Sequence, residues 1–158
     1  VAFEAGADLD ACRGVLTTFT GLPHRVQLVR DRGGVQWYDD SKATTPASVV
    51  AAVSGFPSVV LIAGGRNKGL RLDSLRAVVD RIRAVVAIGE AADDMERTFN
   101  GLRPVSRAAS MPEAVALAAE VSRAGDAVLL SPGCASYDWY RNYGERGDDF
   151  ARAVAELP

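Results

Sequence analysis

Continuous apolar runs alternate with amphipathic segments along most of the chain. The runs SVVLIA, AVVAIG and AVLLSPG occupy residues 58–63, 84–89 and 127–133. Such uninterrupted runs are typical of strands in a parallel sheet, because both faces of that sheet are covered by helices. Segments 72–82 and 111–123 have apolar positions at helical spacing. The pattern therefore predicts strands and helices in alternation, the order found in α/β folds.

The segment before these runs has a different, alternating pattern. Polar and apolar residues alternate over 26–32 and 35–39, on either side of Gly33–Gly34. A glycine pair between two alternating runs is typical of a β-hairpin, which would add an antiparallel strand at one edge. We therefore predict a three-layer, Rossmann-like α/β fold. Its sheet is mostly parallel, with about six strands, one of them antiparallel at the edge, and helices on both faces.

Capping signals mark the starts of two helices. Thr45 followed by Pro46 fits an N-cap and the first helical position, and Ser110 with Glu113 fits a capping box. The remaining predicted elements are helices at 72–82, 91–99 and 148–157 and a short, weak strand at 103–108.

The first 21 residues differ from the rest. Apolar residues recur there at helical spacing, at Leu9, Cys12 and Leu16, and the polar connector TTFTGLP follows at 17–23. A lone helix with no strand to pack on resembles the end of a preceding domain. We expect residues 1–21 to be such a tail with a hinge, and residues 22–158 to form the α/β domain.

Composition narrows the class of protein. The chain has 158 residues, of which 48% are hydrophobic and 24% charged, and its formal net charge is −2. This balance argues against a dedicated nucleic-acid binder, which should carry a basic face. No apolar run approaches the roughly 18 residues of a membrane span. Two cysteines far apart in sequence do not suggest an oxidising compartment, so we expect a cytoplasmic protein with no nucleic-acid or membrane partner.

Three strand-to-helix loops are unusually polar and rich in small residues. They are DDSKATTP at 39–46, GGRNKG at 64–69 and SPGCASYD at 131–138. Ligands of open α/β sheets bind beyond the carboxyl ends of the strands, so parallel strands would open all three loops at one edge. The side chains expected around that crevice are Lys42, Thr44, Lys68 and Ser136.

Ammonium groups, hydroxyls and helix N-termini together suit an anion that carries carboxylates or phosphates. The alternative is that each loop is only a tight turn with a solvated lysine. The chain has neither G-x-x-x-x-G-K-[ST] nor G-x-G-x-x-G, no zinc-ligand spacing and no assignable Ser–His–Asp set. The residues alone thus indicate an anion-binding domain, with no catalytic residue and no metal site of its own.

Several residues near these loops have two interpretations. Asp39–Asp40 could contact ribose or magnesium, or could be a solvated pair at a strand end. We expect His24 to be a hydrogen-bonded structural residue rather than a general base. Arg25 could reach a phosphate or form a surface ion pair. We expect Cys134 to be a small packed residue and not a nucleophile.

The same loops resemble those of the Mur ligases, the ATP-dependent amide ligases that build the peptidoglycan stem peptide. The matching segments are TTFTGLPHR (17–25), DDSKATTP (39–46), GGRNKG (64–69), MPEAV (111–115) and GDAVLLSPGCASYDWYRNYGERGDDF (125–150). They cover most of the chain in the family's order. DDSKAT combined with LLSPGCASYD resembles most the members that add D-glutamate.

The resemblance implies one domain of a three-domain enzyme. One domain would hold the UDP-sugar precursor, a central ATPase domain would carry the phosphate loop, and the C-terminal domain would bring the amino acid. Residues 1–21 would then be the tail of the ATPase domain with the hinge. The reaction implied joins D-glutamate to UDP-N-acetylmuramoyl-L-alanine through an acyl phosphate. ATP and Mg²⁺ would be bound mainly by the central domain, so these residues alone should be inactive.

The resemblance also implies roles for site residues. The expected D-glutamate contacts are Lys42, Thr44, Lys68, Ser136, Tyr137 and Tyr143. Thr44 and Lys68 would bind the α-carboxylate, and Ser136 with the backbone around Tyr143 would receive the side-chain carboxylate. Lys42 would support this cluster or the phosphates of ATP. The expected nucleotide contacts are Arg25 at phosphate and Asp40 near the ribose.

The sequence departs from the family pattern at a few positions. Thr45 and Asn67 replace the family's usual residues, and Tyr137 and Tyr143 stand where other members have Leu or Phe. No charged anchor is lost. Two alternatives stay open: a sister amide ligase, such as another Mur ligase or a folylpolyglutamate synthase, and a non-catalytic anion-binding module. Ser136–Tyr137 together with Lys68 favours D-glutamate over a diaminated substrate.

Overall fold

A six-stranded sheet forms the centre of the computed structural model, which describes residues 4–18 and 21–158. The strands are β1 (Gln27–Arg32), β2 (Val35–Asp39), β3 (Val59–Gly64), β4 (Ile82–Ile88), β5 (Val105–Ala108) and β6 (Ala127–Gly133). Their spatial order is β1-β2-β6-β3-β4-β5. Strand β1 pairs antiparallel with β2, and every other pair is parallel. The predicted sheet, with its antiparallel edge, is confirmed.

Helices cover both faces of this sheet. They are α1 (Leu9–Thr18), α2 (Pro46–Ser54), α3 (Ala92–Phe99), α4 (Met111–Val121), α5 (Tyr143–Ala155) and a 3₁₀ helix (Leu72–Arg81). Strand β3 shows how the layers form, because its side chains alternate between faces. Leu61 packs in the core beneath α2, α3 and the 3₁₀ helix, whereas Ile62 packs in the core beneath α4 and α5. The predicted three-layer arrangement is therefore confirmed.

Helix caps follow the sequence signals. The Thr45 side chain accepts a hydrogen bond from the Ser48 N–H, and the Ser110 side chain accepts one from the Glu113 N–H. The Glu113 carboxylate reaches back to the N–H of Ala109 rather than to that of Ser110. Both helices thus begin where their cap residues predict.

Two elements differ from the sequence prediction. The segment predicted as a helix at 72–82 has 3₁₀ geometry, and a kink at Val78 interrupts it, where φ is −116° and ψ is 15°. Its buried residues Leu72, Leu75 and Val78 are spaced three apart, which fits a 3₁₀ helix. Helix α5 begins at Tyr143 and not at residue 148. It starts earlier because the Asn142 side chain accepts the N–H of Glu145 at 2.9 Å and so caps a longer helix.

Helix α1 begins after Asp8, whose carboxylate accepts the N–H groups of Asp10 and Ala11. None of its described residues is buried. Two residues of the predicted hinge, Phe19 and Thr20, lie outside the described residues. Among the helices of residues 4–18 and 21–158, none is long and apolar enough to cross a membrane.

The packing of β3 makes a testable prediction for stability. Ile62 is fully buried between the sheet and helices α4 and α5. We expect Ile62→Ala to lower the free energy of unfolding by about 2–5 kcal/mol, because it leaves a cavity in a close-packed core. Urea unfolding measures this change. Leu102→Ala is the control, because Leu102 is 41% exposed. Equal losses in both variants would contradict the core assignment.

Candidate functional site

Three polar loops meet at one edge of the sheet. Strands β2, β6 and β3 are neighbours and run parallel, so the loops at their carboxyl ends lie side by side. The loops predicted at 39–46, 131–138 and 64–69 begin within the last residues of these strands and continue from this edge. The sequence prediction that they share one edge is confirmed by the topology.

Backbone pairing joins the loops that follow β3 and β6. Arg66 and Ala135 exchange two backbone hydrogen bonds, with N···O distances of 2.8 and 3.1 Å. Gly65 makes this approach possible. A Cβ at that position would collide with the carbonyl oxygen of Ala135, and its φ of +123° is one that side-chain-bearing residues rarely adopt.

A buried arginine on α5 joins the loops that follow β2 and β6. Arg146 is only 1% exposed. Its Nε donates to Ser41 Oγ at 2.9 Å, and one terminal nitrogen donates to the Ser41 carbonyl at 2.8 Å. The other terminal nitrogen donates to the Cys134 carbonyl at 3.2 Å. One guanidinium therefore fixes two loops from different strands, as its planar, five-donor geometry allows.

The charge of Arg146 has no carboxylate partner within salt-bridge distance among the described residues. Burial lowers the pKa of Arg146 to about 10, and the nearby carboxylate of Asp138 opposes that shift. Sequence reasoning missed this residue. The signal that could have found it is its position on the apolar stripe of α5, four residues before Phe150.

Both lysines of the chain, Lys42 and Lys68, stand at this edge, and each contacts a tyrosine ring. The Lys42 Nζ lies 5.4 Å from the ring centroid of Tyr143. The Lys68 Nζ lies 4.8 Å from the ring centroid of Tyr137. Over residues 4–18 and 21–158, neither lysine forms a salt bridge. Their charges are thus not neutralised by a carboxylate of the described chain.

A cavity of about 370 Å³ opens between the loop after β2 and the start of α2. Its lining includes Arg25, Asp40 and Lys42, three of the residues predicted at the ligand site. The other lining residues are Val26, Ala43, Ser48, Ala51 and Ala52. Two cations, one carboxyl group and the first turns of a helix therefore surround this space.

The carboxylates of Asp39 and Asp40 point into the protein. Asp40 accepts the Val26 N–H at 3.2 Å and the Ser131 hydroxyl at 2.7 Å. Asp39 accepts the Ser41 N–H at 2.8 Å and faces the Nδ1 of His24 at 2.7 Å. The interpretation of this pair as solvated is wrong, since both residues are at most 4% exposed. The ribose contact of Asp40 stays a prediction.

A strained turn places Arg25 at the cavity. His24 and Val26, on either side of it, have φ values of +59° and +46°, which are rare for residues other than glycine. The turn is held because Val26 donates to Asp40 and the carbonyl of His24 accepts the Lys42 N–H at 3.0 Å. The His24 ring is hydrogen-bonded to Asp39, as expected of a structural residue. Arg25 forms no salt bridge in the described part of the chain.

Other predicted residues have mixed environments. Thr44 is partly buried, and its N–H donates to the carbonyl of Lys42 at 3.0 Å. Ser136 is only 3% exposed, so the structure does not present its side chain openly to the edge as we expected. The reason is that its carbonyl accepts the Tyr140 N–H at 2.9 Å and draws residues 136–140 into a turn. Cys134 is buried as predicted, and burial raises the pKa of its thiol to about 11.

Asn67 orders the loop that carries Lys68. Its Oδ1 accepts the Leu70 N–H at 2.8 Å, and its Nδ2 donates to the Leu70 carbonyl at 3.1 Å. The same Nδ2 donates to Asp94 on α3 at 3.1 Å. The sequence showed Asn67 only as a departure from the family pattern. The structure shows that this side chain closes the loop on itself and ties it to a helix.

The family model described as Mur ligase, glutamate ligase domain, matches residues 24–134. The chain belongs to this family. A UDP-N-acetylmuramoylalanine–D-glutamate ligase from Symbiobacterium thermophilum is 48% identical over 160 residues, which cover 98% of this chain and 35% of that enzyme. The Mur ligase domain therefore spans about a third of that relative's length. The resemblance predicted from the loop motifs is confirmed.

Solved structures of Mur ligases share the fold. A UDP-N-acetylmuramate–alanine ligase from Thermotoga maritima has a TM-score of 0.67 at 13% identity, over 98% of this chain and 35% of that chain. A MurF ligase from the same organism, in complex with ADP, has a TM-score of 0.60 at 16% identity, over 97% of this chain and 35% of that chain. At these identities the likeness concerns the fold alone.

Magnesium ligands are not assigned to this Mur ligase domain. Across residues 4–18 and 21–158, no three His, Cys, Asp or Glu side chains are grouped so that they could hold a metal ion. Asp39 and Asp40 are adjacent, but their oxygens are engaged by N–H groups, His24 and a serine hydroxyl.

Burial of Asp40 makes a prediction for pH dependence. Burial raises the pKa of Asp40 above its ordinary value, against the hydrogen bonds from Ser131 and Val26. The folded protein therefore holds this proton more tightly than the unfolded chain. The Asp40 contribution to the free energy of unfolding falls as pH rises from the unfolded pKa through the folded pKa.

We expect Asp40→Asn to remove that loss without a buried charge. The amide oxygen can still accept the Val26 N–H, and the amide NH₂ can donate to the Ser131 hydroxyl oxygen, which reverses that bond. The gain in free energy of unfolding over wild type should be larger at pH 7 than at pH 3, as measured by urea titration. Glu120→Gln, at an exposed position on α4, is the control. A difference from wild type that does not grow with pH would contradict the assignment.

Proposed function

We propose that this chain is the C-terminal, amino-acid-binding domain of a cytoplasmic ligase of peptidoglycan synthesis. The ligase joins D-glutamate to UDP-N-acetylmuramoyl-L-alanine with hydrolysis of ATP. The observation that carries the proposal is the pair Lys42 and Lys68, on loops of one sheet edge and without carboxylate partners in the described chain. The 48% identity to a D-glutamate ligase supports the choice of substrate.

The reaction proceeds in two steps. The γ-phosphoryl group of ATP passes to the carboxylate of the precursor, which forms an acyl phosphate and releases ADP. The amine of D-glutamate then attacks the acyl carbon, and the tetrahedral intermediate collapses to the amide as phosphate leaves and the amine loses a proton. This domain contributes positioning, which can supply several kcal/mol of the barrier reduction.

D-glutamate carries two carboxylates, and different groups of this edge bind them. Lys68 and Thr44 hold the α-carboxylate, while Lys42 supports the cluster or the phosphates. Each charge-assisted hydrogen bond contributes roughly 1.5–3 kcal/mol net. The side-chain carboxylate lies near Ser136, Tyr137 and the first turn of α5 at Tyr143. That turn offers backbone N–H groups and the positive end of the helix dipole.

The active site of the full ligase lies between this domain and the central domain, and the nucleotide contacts this domain from the side of the central domain. Arg25 at the cavity contacts phosphate, and Asp40 lies near the ribose. The remaining ATP contacts and Mg²⁺ belong to the central domain of the ligase. Residues 1–21 are the tail of that domain with the hinge, and residues 22–158 are the C-terminal domain. Closure of the hinge brings the acyl phosphate to the bound amine.

A substitution of Lys68, on the loop after β3, tests the proposed function directly. In the full-length ligase that contains this chain, we expect Lys68→Ala to lower kcat/KM for D-glutamate at least about tenfold, because one charge-assisted hydrogen bond is lost. Phosphate release at varied D-glutamate measures this change.

The control for this test is Arg32→Ala. Arg32 lies at the opposite edge of the sheet, beside the β1–β2 turn, and donates to the carbonyl of Leu157 at 2.8 Å. This variant should keep the wild-type D-glutamate kinetics. If Lys68→Ala keeps them as well, Lys68 does not bind D-glutamate, and absence of D-glutamate-dependent phosphate release in wild type would overturn the proposed function.

A further inference from the structure

We propose that Tyr137 is a positioning residue for Lys68, and that Tyr143 plays the same part for Lys42. Each ring holds an ammonium group at the sheet edge by a cation–π contact without neutralising its charge. The effect of these contacts on catalysis rests on the proposed function. It reassigns the two tyrosines, which the resemblance placed among the direct D-glutamate contacts.

The geometry supports this role in both pairs. The two Nζ–centroid distances, 4.8 Å for Lys68 and 5.4 Å for Lys42, lie within the roughly 6 Å range of cation–π contacts. Core packing does not explain the two tyrosines, because Tyr137 is 55% exposed and Tyr143 is 38% exposed. These are the only two lysines among the chain's 18 Lys and Arg residues. Both of them therefore have the same kind of partner.

The choice of an aromatic partner has a physical consequence. A carboxylate would also hold a lysine in place, but it would cancel the positive charge and compete with the carboxylates of a ligand. A ring attracts the ammonium through its quadrupole and leaves the net charge of the pair at +1. The contact thus restricts the rotamers of the four-carbon lysine side chain, while the lysine charge stays available to an anion.

The Lys68–Tyr137 pair connects two loops, and the Lys42–Tyr143 pair connects a loop to the first residue of α5. Hydrogen bonds brace the backbone beside both pairs. Asn67 fixes the backbone beside Lys68, and the Arg66–Ala135 pairing fixes the backbone near Tyr137. For the second pair, the carbonyl of Tyr143 accepts the hydroxyl of Ser41 at 2.7 Å. Hydrogen bonds of neighbouring residues therefore place each ring beside its ammonium group.

The first experiment detects the contact without any substrate. Reductive methylation with ¹³C-formaldehyde gives each lysine of the ligase a dimethylammonium group that keeps its charge. The signal that Lys68→Arg removes belongs to Lys68. In wild type we expect a ring-current upfield shift of its methyl protons. The shift should vanish in Tyr137→Leu and persist in Tyr137→Phe, whereas Tyr143→Leu should move only the Lys42 signal.

The second experiment measures the effect on the reaction. We expect Tyr137→Leu to raise KM for D-glutamate about three- to fivefold, the size of an exposed cation–π contact, with little change in kcat or in KM for ATP. Tyr137→Phe should restore KM because it keeps the ring. In a Lys68→Ala background, Tyr137→Leu should add no further loss, since the partner of the ring is already absent.

The outcomes separate this inference from the proposed function. An unshifted Lys68 signal in wild type, or one that Tyr137→Leu leaves unchanged, overturns the positioning role whatever the enzyme's substrate. A ligase that responds to Lys68→Ala but has wild-type KM in Tyr137→Leu overturns it as well. A shifted Lys68 signal in a protein that does not use D-glutamate keeps the lysine–tyrosine contact and overturns the proposed function instead.

Discussion

The buried guanidinium of Arg146 is the interaction on which the candidate site depends. It donates hydrogen bonds to Ser41 on the loop after β2 and to Cys134 on the loop after β6. Those loops carry Lys42 and Tyr137, and the pairing of Arg66 with Ala135 extends the connection to the loop of Lys68. Without Arg146, two carbonyl oxygens and a hydroxyl would be left in the interior without this donor, which is costly.

Acidic and basic side chains of the three loops lie at different depths below the surface. The carboxylates of Asp39 and Asp40 face inward, where N–H groups, a hydroxyl and His24 satisfy them. The ammonium groups of the lysines face aromatic rings at the edge instead. The carboxylates of Asp39 and Asp40 are thus turned away from the two lysines, which leaves the lysine charges open to an anion. This sorting is what an anion-binding edge requires in a chain with a net charge of −2.

Sequence patterns predicted the layers, the sheet and the edge at which the polar loops meet, because apolar periodicity and the rule for parallel strands act over short segments. They did not predict contacts that depend on three-dimensional proximity. Arg146 lies about a hundred residues from Ser41, and a charged residue on an apolar stripe looks like an error in the pattern until its acceptors are known. The burial of Ser136 likewise follows from a turn at 136–140 that the SPGCASYD motif does not encode. The three-residue spacing of Leu72, Leu75 and Val78 fits an α-helix as well as a 3₁₀ helix, so the sequence alone did not distinguish the two.

Native-state hydrogen exchange in Arg146→Gln tests the central claim most directly. If Arg146 joins the loops, the amides of Ser41, Ala43 and Gly133 should exchange about tenfold faster or more in the variant. The amide of Val85 is the control and should keep most of its protection. It donates to the carbonyl of Pro104, on the far side of the sheet. Unchanged exchange at the loop amides would contradict the account, and so would an equal acceleration at every amide.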